Sequence, residues 1–455
     1  MLESINPATN ERVATYETMS ASEVEEALQA ASAAAEAWAR RPVGERAEKA
    51  GRAAEVLEAR KDALATRITN EMGKPIAQAR AEIEKCEWVC RYYAGHGADL
   101  LADRPIEVDA PNRAFVAHEP LGVVLAVMPW NFPFWQVLRF AAPALTAGNG
   151  AVLKHSANVT GCALDLERVF EEAGYPKDLF RTLRIRSSQV DAVLENPRVQ
   201  AATLTGSEAA GRAVAAKAGE RIKKTVLELG GSDPYLILDD ADVEAAAEKC
   251  AQSRLINTGQ SCIAAKRFIT VPASHEAFLE TFVAAMARRQ LSDPLDPDAQ
   301  LGPMAREDLR DELHDQVRRS VDAGARCLLG GEVPDRAGAY YPPTVLADVG
   351  PETLAYREEL FGPVASVIAA QDEADAVCIA NDSDFGLGAA VFTRDPMRGE
   401  AVARKLQAGS CCVNDFVKSD PRLPFGGIKN SGYGRELADL GIREFVNEKT
   451  VQISG

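Results

Sequence analysis

Apolar residues recur at intervals of three and four through much of the first hundred residues, then give way to short continuous apolar runs of strand length. Val24, Leu28, Ala31, Ala35 and Trp38 define one helical stripe, opened by the capping box Ser20-x-x-Glu23 and closed by Pro42 and Gly44. Gly73-Lys74-Pro75 reads as a stop followed by a start, so two further helices are predicted over 45–71 and 75–101. The first hundred residues are therefore expected to be mostly helical. Alternation around Pro111-Asn112 predicts a two-stranded ribbon over 106–109 and 114–117. The run 122–128 is apolar throughout, as a parallel strand covered on both faces would be. Strands at 151–154, 180–183, 199–204 and 225–229 then alternate with helices, one through Leu164 and Phe170 and one from Ser207, which argues for a doubly wound sheet. Beyond Gly231 a second α/β unit is expected, with strands at 235–238 and 267–271, a helix over 242–256 and another strand after Gly362-Pro363. The tail 450–454 alternates like an edge strand.

A chain of 455 residues exceeds a single core and implies two or three domains. Its 51 Lys and Arg against 67 Asp and Glu give a net charge of -16, which argues against binding nucleic acid or an anionic membrane by bulk electrostatics. Any anionic ligand must meet a local cationic site. The nine cysteines are odd in number and scattered, with Cys411 and Cys412 adjacent, so neither a disulfide framework nor a metal site is indicated. No basic, apolar leader opens the sequence and no run of about 18 apolar residues occurs, so a soluble protein of the reduced cytoplasm is expected.

One cysteine stands apart. Cys262 ends the stretch Asn257-Thr258-Gly259-Gln260-Ser261-Cys262, where Gly259 permits a tight turn that would expose a thiol. A thiolate is the nucleophilic form, and neighbouring N–H groups or a base must raise its population. No G-x-G-x-x-G follows any predicted strand, so the usual dinucleotide fingerprint is absent. In its place Thr205-Gly206-Ser207-Glu208 joins strand to helix: either free N–H groups and the Ser207 hydroxyl receive a pyrophosphate, or Thr205 and Glu208 form a capping box.

Four stretches, Pro129-Trp130-Asn131-Phe132-Pro133, Glu228-Leu229-Gly230-Gly231, Gly259-Gln260-Ser261-Cys262 and Glu359-Leu360-Phe361-Gly362-Pro363, together resemble the aldehyde dehydrogenase superfamily. The likeness covers nearly the whole chain in the family's order, including the 34 residues from Glu228 to Cys262 and the terminal Pro424-Phe425-Gly426-Gly427 and Ser431-Gly432-Tyr433-Gly434-Arg435-Glu436. It implies an α/β fold with a Rossmann-like doubly wound cofactor domain at 1–106 and 120–229 and an α/β catalytic domain at 230–430. A β-ribbon arm at 107–119 and 446–455 would pair subunits into homodimers or homotetramers.

By the same resemblance Cys262 is the nucleophile, Asn131 stabilises the oxyanion and Glu228 is the general base, the Gly230-Gly231 pair giving its side chain room to move. Lys154 would hold the adenosine ribose, Ser207 with Gly206 the pyrophosphate and Glu359 the nicotinamide ribose, with Trp130 and Phe361 beside the ring. Many NAD-preferring relatives carry a Glu where this chain has Ala157, so the cofactor is NADP or NAD. Where relatives often have a Lys after Arg139, this chain has Phe140, which redirects any proton exit, with Glu436 one route. Arg139 occupies the position of a substrate-binding Arg in succinate-semialdehyde dehydrogenases, the sub-family that fits best. It would clamp a distal carboxylate with help from Ser419, or else form a structural ion pair. A CoA-acylating enzyme, one of broader aldehyde specificity, or a catalytically silent structural member are the alternatives; Glu228 argues against the first and the presence of Cys262 and Asn131 against the last.

Overall fold

The computed structural model describes residues 1–454; Gly455, the last residue of the expected arm, lies outside the described residues. The capping box forms as the sequence demands, with Ser20 Oγ accepting from the Glu23 N–H and the Glu23 carboxylate accepting from the Ser20 N–H at 2.7 Å. The helix Ala21–Ala39 buries Leu28, Ala31, Ala35 and Trp38, and the Trp38 indole donates to the Leu145 carbonyl at 2.7 Å. Val43–Met72 ends at Gly73, left-handed at φ 78°, and Ile76–Leu100 follows Pro75. An antiparallel pair, Leu2–Ile5 with Arg12–Tyr16, precedes these helices. The apolar pattern does not mark it, because the buried face of its first strand carries Leu2 and the polar Ser4 while Ile5 is exposed.

The first sheet has six strands in the order Gly432–Tyr433, Lys224–Glu228, Val199–Thr205, Val123–Met128, Gly150–His155, Phe180–Thr182. All but the first are parallel. The chain winds outward from Val123–Met128 in one direction, then returns to Val199–Thr205 on its other side. The strand order therefore reverses between these two, and a crevice opens at their carboxyl ends, where doubly wound sheets bind ligands. Val123, Val124, Leu125 and Ala126 are buried on both faces, which explains their unbroken apolar run.

A second sheet of seven strands runs Arg326–Leu329, Thr344–Ala347, Val364–Ala369, Arg267–Thr270, Pro234–Ile237, Gly388–Phe392, Ser410–Val413, and only its first strand is antiparallel. Separate apolar clusters cover its two faces. A third sheet is the ribbon: Val446–Ile453 pairs with Arg113–Pro120, which pairs with Arg104–Ile106.

Two expectations shift. The ribbon's first strand ends at Ile106 rather than starting there, because 107–112 is spent on a turn in which the Asn112 N–H donates to the Asp109 carbonyl at 3.1 Å. Gly432–Tyr433, beyond the expected second domain, returns to the first sheet beside Lys224–Glu228.

Candidate active site

The Cys262 loop is built from unfavourable backbone. Asn257 and Thr258 both sit at φ 54° and Gly259 at φ 75°, three consecutive left-handed residues of which only the glycine is at ease. Gly259 is also required sterically, since a Cβ there would lie 2.2 Å from the Gly362 carbonyl oxygen. The surroundings hold this shape at many points. Arg254, fully buried, donates to the Gly259 carbonyl at 2.5 Å; Gln260 donates to the Asn257 carbonyl and accepts from the Ala305 N–H; Lys266 donates to the carbonyls of Ser261 and Cys262 at 3.1 and 2.8 Å. Such over-determination fixes the thiol's position.

Cys262 lines two cavities. One, of about 310 Å³, lies at the switch point of the first sheet and is bounded by Trp130, Asn131, Gly206, Ser207, Glu228, Glu359 and Phe361. The other, of about 670 Å³, is bounded by the helix Ile76–Leu100, the start of the helix Trp135–Ala147 and the segment 416–419. Burial raises the thiol to about 12, while Arg139 and Lys266 pull it down. At rest it is a neutral thiol that needs a proton acceptor to react.

Asn131 is buried and oriented at both ends of its amide. Gln136 donates to its Oδ1 at 3.0 Å, which leaves Nδ2 aimed at the cysteine loop, where it donates to the Gln260 carbonyl at 3.1 Å. One N–H of that amide remains for an oxyanion. The Asn257 side chain donates to the Asn131 carbonyl at 2.8 Å, which ties the two loops together.

Glu228 ends its strand with neither carboxylate oxygen hydrogen-bonded. Burial first, and then the neighbouring Glu436, push its pKa well above the usual carboxylate range. Its carboxyl rests against Gly426, where a Cβ would come within 2.7 Å of Oε1. The Gly230-Gly231 pair serves a different residue from the one expected. A Cβ on Gly230 would meet Glu359 Oε2 at 2.3 Å, and the Gly231 N–H donates to Glu359 Oε1 at 3.1 Å. The glycines make room for Glu359, which also pairs with Lys266 at 3.0 Å.

The remaining expected residues divide. Trp130 and Phe361 meet edge to face with ring centroids 5.8 Å apart at the cavity wall. Ser207, not Thr205, caps the helix Glu208–Glu220, accepting from the Ala210 N–H, and the Gly206 N–H is taken by the Glu228 carbonyl at 3.0 Å, so it is not a free phosphate donor. Lys154 and Ala157 fall outside the walls of both cavities, at and just beyond the end of the adjacent strand. Lys154 Nζ reaches Ser187 Oγ at 3.4 Å and Ala157 is exposed. His155, next to Lys154, is buried and offers a phosphate no charge: its Nε2 donates to the Pro133 carbonyl, its Nδ1 accepts from the Ser156 N–H, and burial holds it neutral at about 4.

Arg139 lies in the wall of the larger cavity, packed on the Phe425 ring at 4.6 Å and ion-paired with Glu436, both partners buried. The ion pair posed as the alternative to a clamp is present, and it balances the charge of Arg139. Ser419 is in the same wall, its Oγ accepting from Lys85 Nζ at 2.7 Å. Lys74, Glu82, Lys85 and Lys266 had no motif to mark them. Lys74 stood in what looked like bare punctuation; it is fully buried and paired with Glu82, whose other oxygen receives the N–H groups of Phe134 and Trp135 and so anchors the helix that carries Gln136 and Arg139.

The fold and site define an α/β protein of two large, mostly parallel sheets with a thiol at the meeting of a switch-point crevice and a second, larger cavity. The Aldehyde dehydrogenase family matches residues 1–451, and the chain belongs to that family. It is 48% identical over 448 residues to the succinate semialdehyde dehydrogenase [NAD(P)+] Sad of Escherichia coli (strain K12), covering 98% of this chain and 97% of that protein. To the succinate-semialdehyde dehydrogenase [NADP(+)] of Mycobacterium leprae (strain TN) it is 48% identical over 452 residues, 99% of each. The structure of succinic semialdehyde dehydrogenase from Streptococcus pyogenes in complex with NADP+ superimposes with a TM-score of 0.98 at 36% identity, covering 100% of both chains.

Proposed function

We propose that this aldehyde dehydrogenase oxidises succinic semialdehyde to succinate with NADP or NAD, using Cys262 as nucleophile. The observation that carries the substrate is the excess of cationic over anionic side chains in one cavity wall. In a chain of net charge -16, the cavity leading to Cys262 is walled by Lys74, Lys85, Arg139, Arg289 and Lys418 against one carboxylate, Glu82. Its far wall suits an aldehyde carrying a distal anion, with Arg139 and Ser419 among the groups that receive it. The similar proteins from Escherichia coli and Mycobacterium leprae bear that substrate in their names.

The residues support the following sequence. Cys262 gives its proton to solvent and its sulfur bonds the aldehyde carbon, giving a thiohemiacetal whose oxyanion is met by the free Asn131 Nδ2–H and the Cys262 backbone N–H, a contribution of roughly 3–4 kcal/mol. A nicotinamide held beside Trp130 and Phe361 would supply the hydride acceptor needed as the carbon returns to a carbonyl. Cys262 then carries a thioester, and Glu228 takes a proton from the water that cleaves it, releasing the acid and the thiol. The switch-point cavity fits a dinucleotide: it ends at the first turn of the helix Glu208–Glu220, with Ser207 for the pyrophosphate, Glu359 for the ribose and Trp130 and Phe361 for the ring. Lys154 and the exposed Ala157, at and just beyond the end of the adjacent strand, would flank the adenosine end. Residues 1–106 and 120–229 form the cofactor domain, 230–430 the catalytic domain, and 107–119 with 446–455 the arm, in a cytoplasmic homodimer or homotetramer. The eight-residue edge strand Val446–Ile453 and the exposed Ile106, Val108 and Ile453 support pairing through the ribbon; light scattering should give a mass of two or four chains. None of the helices among the described residues is long and apolar enough to cross a membrane.

The direct test follows reduced cofactor by absorbance across a panel of aldehydes with each cofactor. Succinic semialdehyde should have the highest kcat/KM, and NADP should serve at least as well as NAD because Ala157 presents no carboxylate to repel a 2′-phosphate. Ala157→Glu should shift preference toward NAD by roughly tenfold, the size of about 1.4 kcal/mol between like charges near a surface. Failure to use NADP in the wild type would refute the cofactor assignment.

A further inference from the structure

The five cations around the larger cavity are not equivalent. Lys74 pairs with Glu82, Arg139 with Glu436 and Arg289 with Glu248, while Lys418 pairs with Asp415 at 2.9 Å. Lys85 is the exception: among the described residues no carboxylate lies within 4.0 Å of its ammonium. Instead Nζ donates to Ser419 Oγ at 2.7 Å and stands 4.5 Å from the centre of the Trp135 ring. Trp135 is a poor substitute for water around an ammonium and a serine hydroxyl carries no charge, so a half-buried cation is left with donor capacity and no counter-ion.

We propose that Lys85 supplies the unpaired counter-charge for the substrate's distal carboxylate, with Ser419 as its partner in the same contact and the already paired Arg139 beside them. This rests on the anionic-aldehyde reading above and assigns the charge within it. A carboxylate arriving at Lys85 would make a charge-assisted hydrogen bond to Nζ, while the Ser419 hydroxyl, freed to rotate, donates to its second oxygen. Arg139 cannot gain as much from the same anion, because Glu436 already neutralises it and the two are buried together. Lys85 also explains why the cavity should discriminate. An uncharged aldehyde leaves the ammonium unpaired whether bound or not, so it gains nothing from Lys85, whereas the dicarboxylic semialdehyde completes the site.

The charge on Lys85 is conditional. Burial and the nearby Arg139 guanidinium depress it to about 8, opposed by Cys86, Asp420 and Glu82. The groups facing it are thus Glu82 and Cys86 from its own helix, Arg139 and Trp135 from the helix Trp135–Ala147, and Ser419 and Asp420 from the loop; Glu82 is paired with Lys74 and Asp420 with Arg422. Recognition of the anion by the free enzyme should fade as pH rises through about 8, because the protonated form is the binding form.

The test compares succinic semialdehyde with butanal for the wild type, Lys85→Met and Lys85→Arg, from pH 6.5 to 9.5. Met keeps the length and apolar stem of the side chain, so folding, read from the melting temperature, should hold. For Lys85→Met, KM for succinic semialdehyde should rise roughly 30-fold or more, with kcat and all butanal parameters unchanged. The wild-type ratio of kcat/KM for the two aldehydes should fall above about pH 8, and Lys85→Arg should restore binding while abolishing that fall, since a guanidinium does not titrate there. A ratio unchanged in Lys85→Met overturns the assignment of Lys85 alone and leaves the substrate standing. Equal loss for both aldehydes makes Lys85 structural and overturns it as well. A wild type that takes butanal as readily as succinic semialdehyde overturns the substrate together with it.

Discussion

Cys262→Ala should abolish turnover of every aldehyde, by on the order of 10⁴-fold or more, while NADP binding measured by fluorescence quenching or calorimetry stays within experimental error of the wild type. The selectivity of the loss follows from where the thiol sits. Its side chain lines both cavities, but the loop that holds it is fixed by Arg254, Gln260 and Lys266 acting on backbone and neighbouring groups, not on sulfur. Removing the sulfur therefore leaves the loop in place and the crevice intact. Alkylation gives a second check. Because burial holds the thiol at about 12, iodoacetamide should react slowly with the free enzyme at neutral pH despite the cavity leading to it, and faster as pH rises. Turnover by Cys262→Ala near the wild-type rate would discard the covalent mechanism.

What the sequence disclosed and what it withheld divide along one physical line. Signals local in the chain were legible: the Ser20–Glu23 box, the stop at Gly73, the buried run 122–128, and the need for glycine at 259, which the φ of 75° and the Gly362 carbonyl both enforce. Pairings distant in sequence were not. Nothing near Arg139 announces Glu436, and the Gly230-Gly231 pair was credited to Glu228, its neighbour in the chain, when it accommodates Glu359 from across the fold. Lys85 falls within an amphipathic helix among other charged residues, where the pattern marks only a polar position. Its lack of a carboxylate is a property of three dimensions. The ribbon shows the same limit, since alternation locates a strand but the ladder's end depends on where the turn at 109–112 consumes the chain. A family resemblance adds residue roles but not the partners that bias them, and at Arg139 the partner changes what the residue can do.

Glu228→Gln should separate the two halves of the reaction. Acylation needs the thiol and the oxyanion contacts, so one equivalent of reduced cofactor per site should appear in a rapid burst, after which steady turnover should fall by roughly 10²–10⁴-fold as the thioester waits for an unactivated water. The structure adds a pH signature to that contrast. With both oxygens unbonded, buried, and facing Glu436, the Glu228 carboxyl is held protonated above the usual range for a glutamic acid. Only its ionised form accepts a proton from water, so wild-type deacylation should accelerate as pH rises through this elevated pKa, and the amide should flatten that limb. Glu436 sharpens the prediction. It is buried and itself raised, with Arg139 the group that opposes the shift, so Glu436→Gln should remove a neighbouring carboxylate and move the wild-type limb to lower pH while keeping the base. Stopped-flow absorbance across pH 6 to 10 for the three proteins reads both effects. A Glu228→Gln enzyme with no burst, or with a burst and unaltered turnover, would remove Glu228 from deacylation and leave it a buried neutral acid.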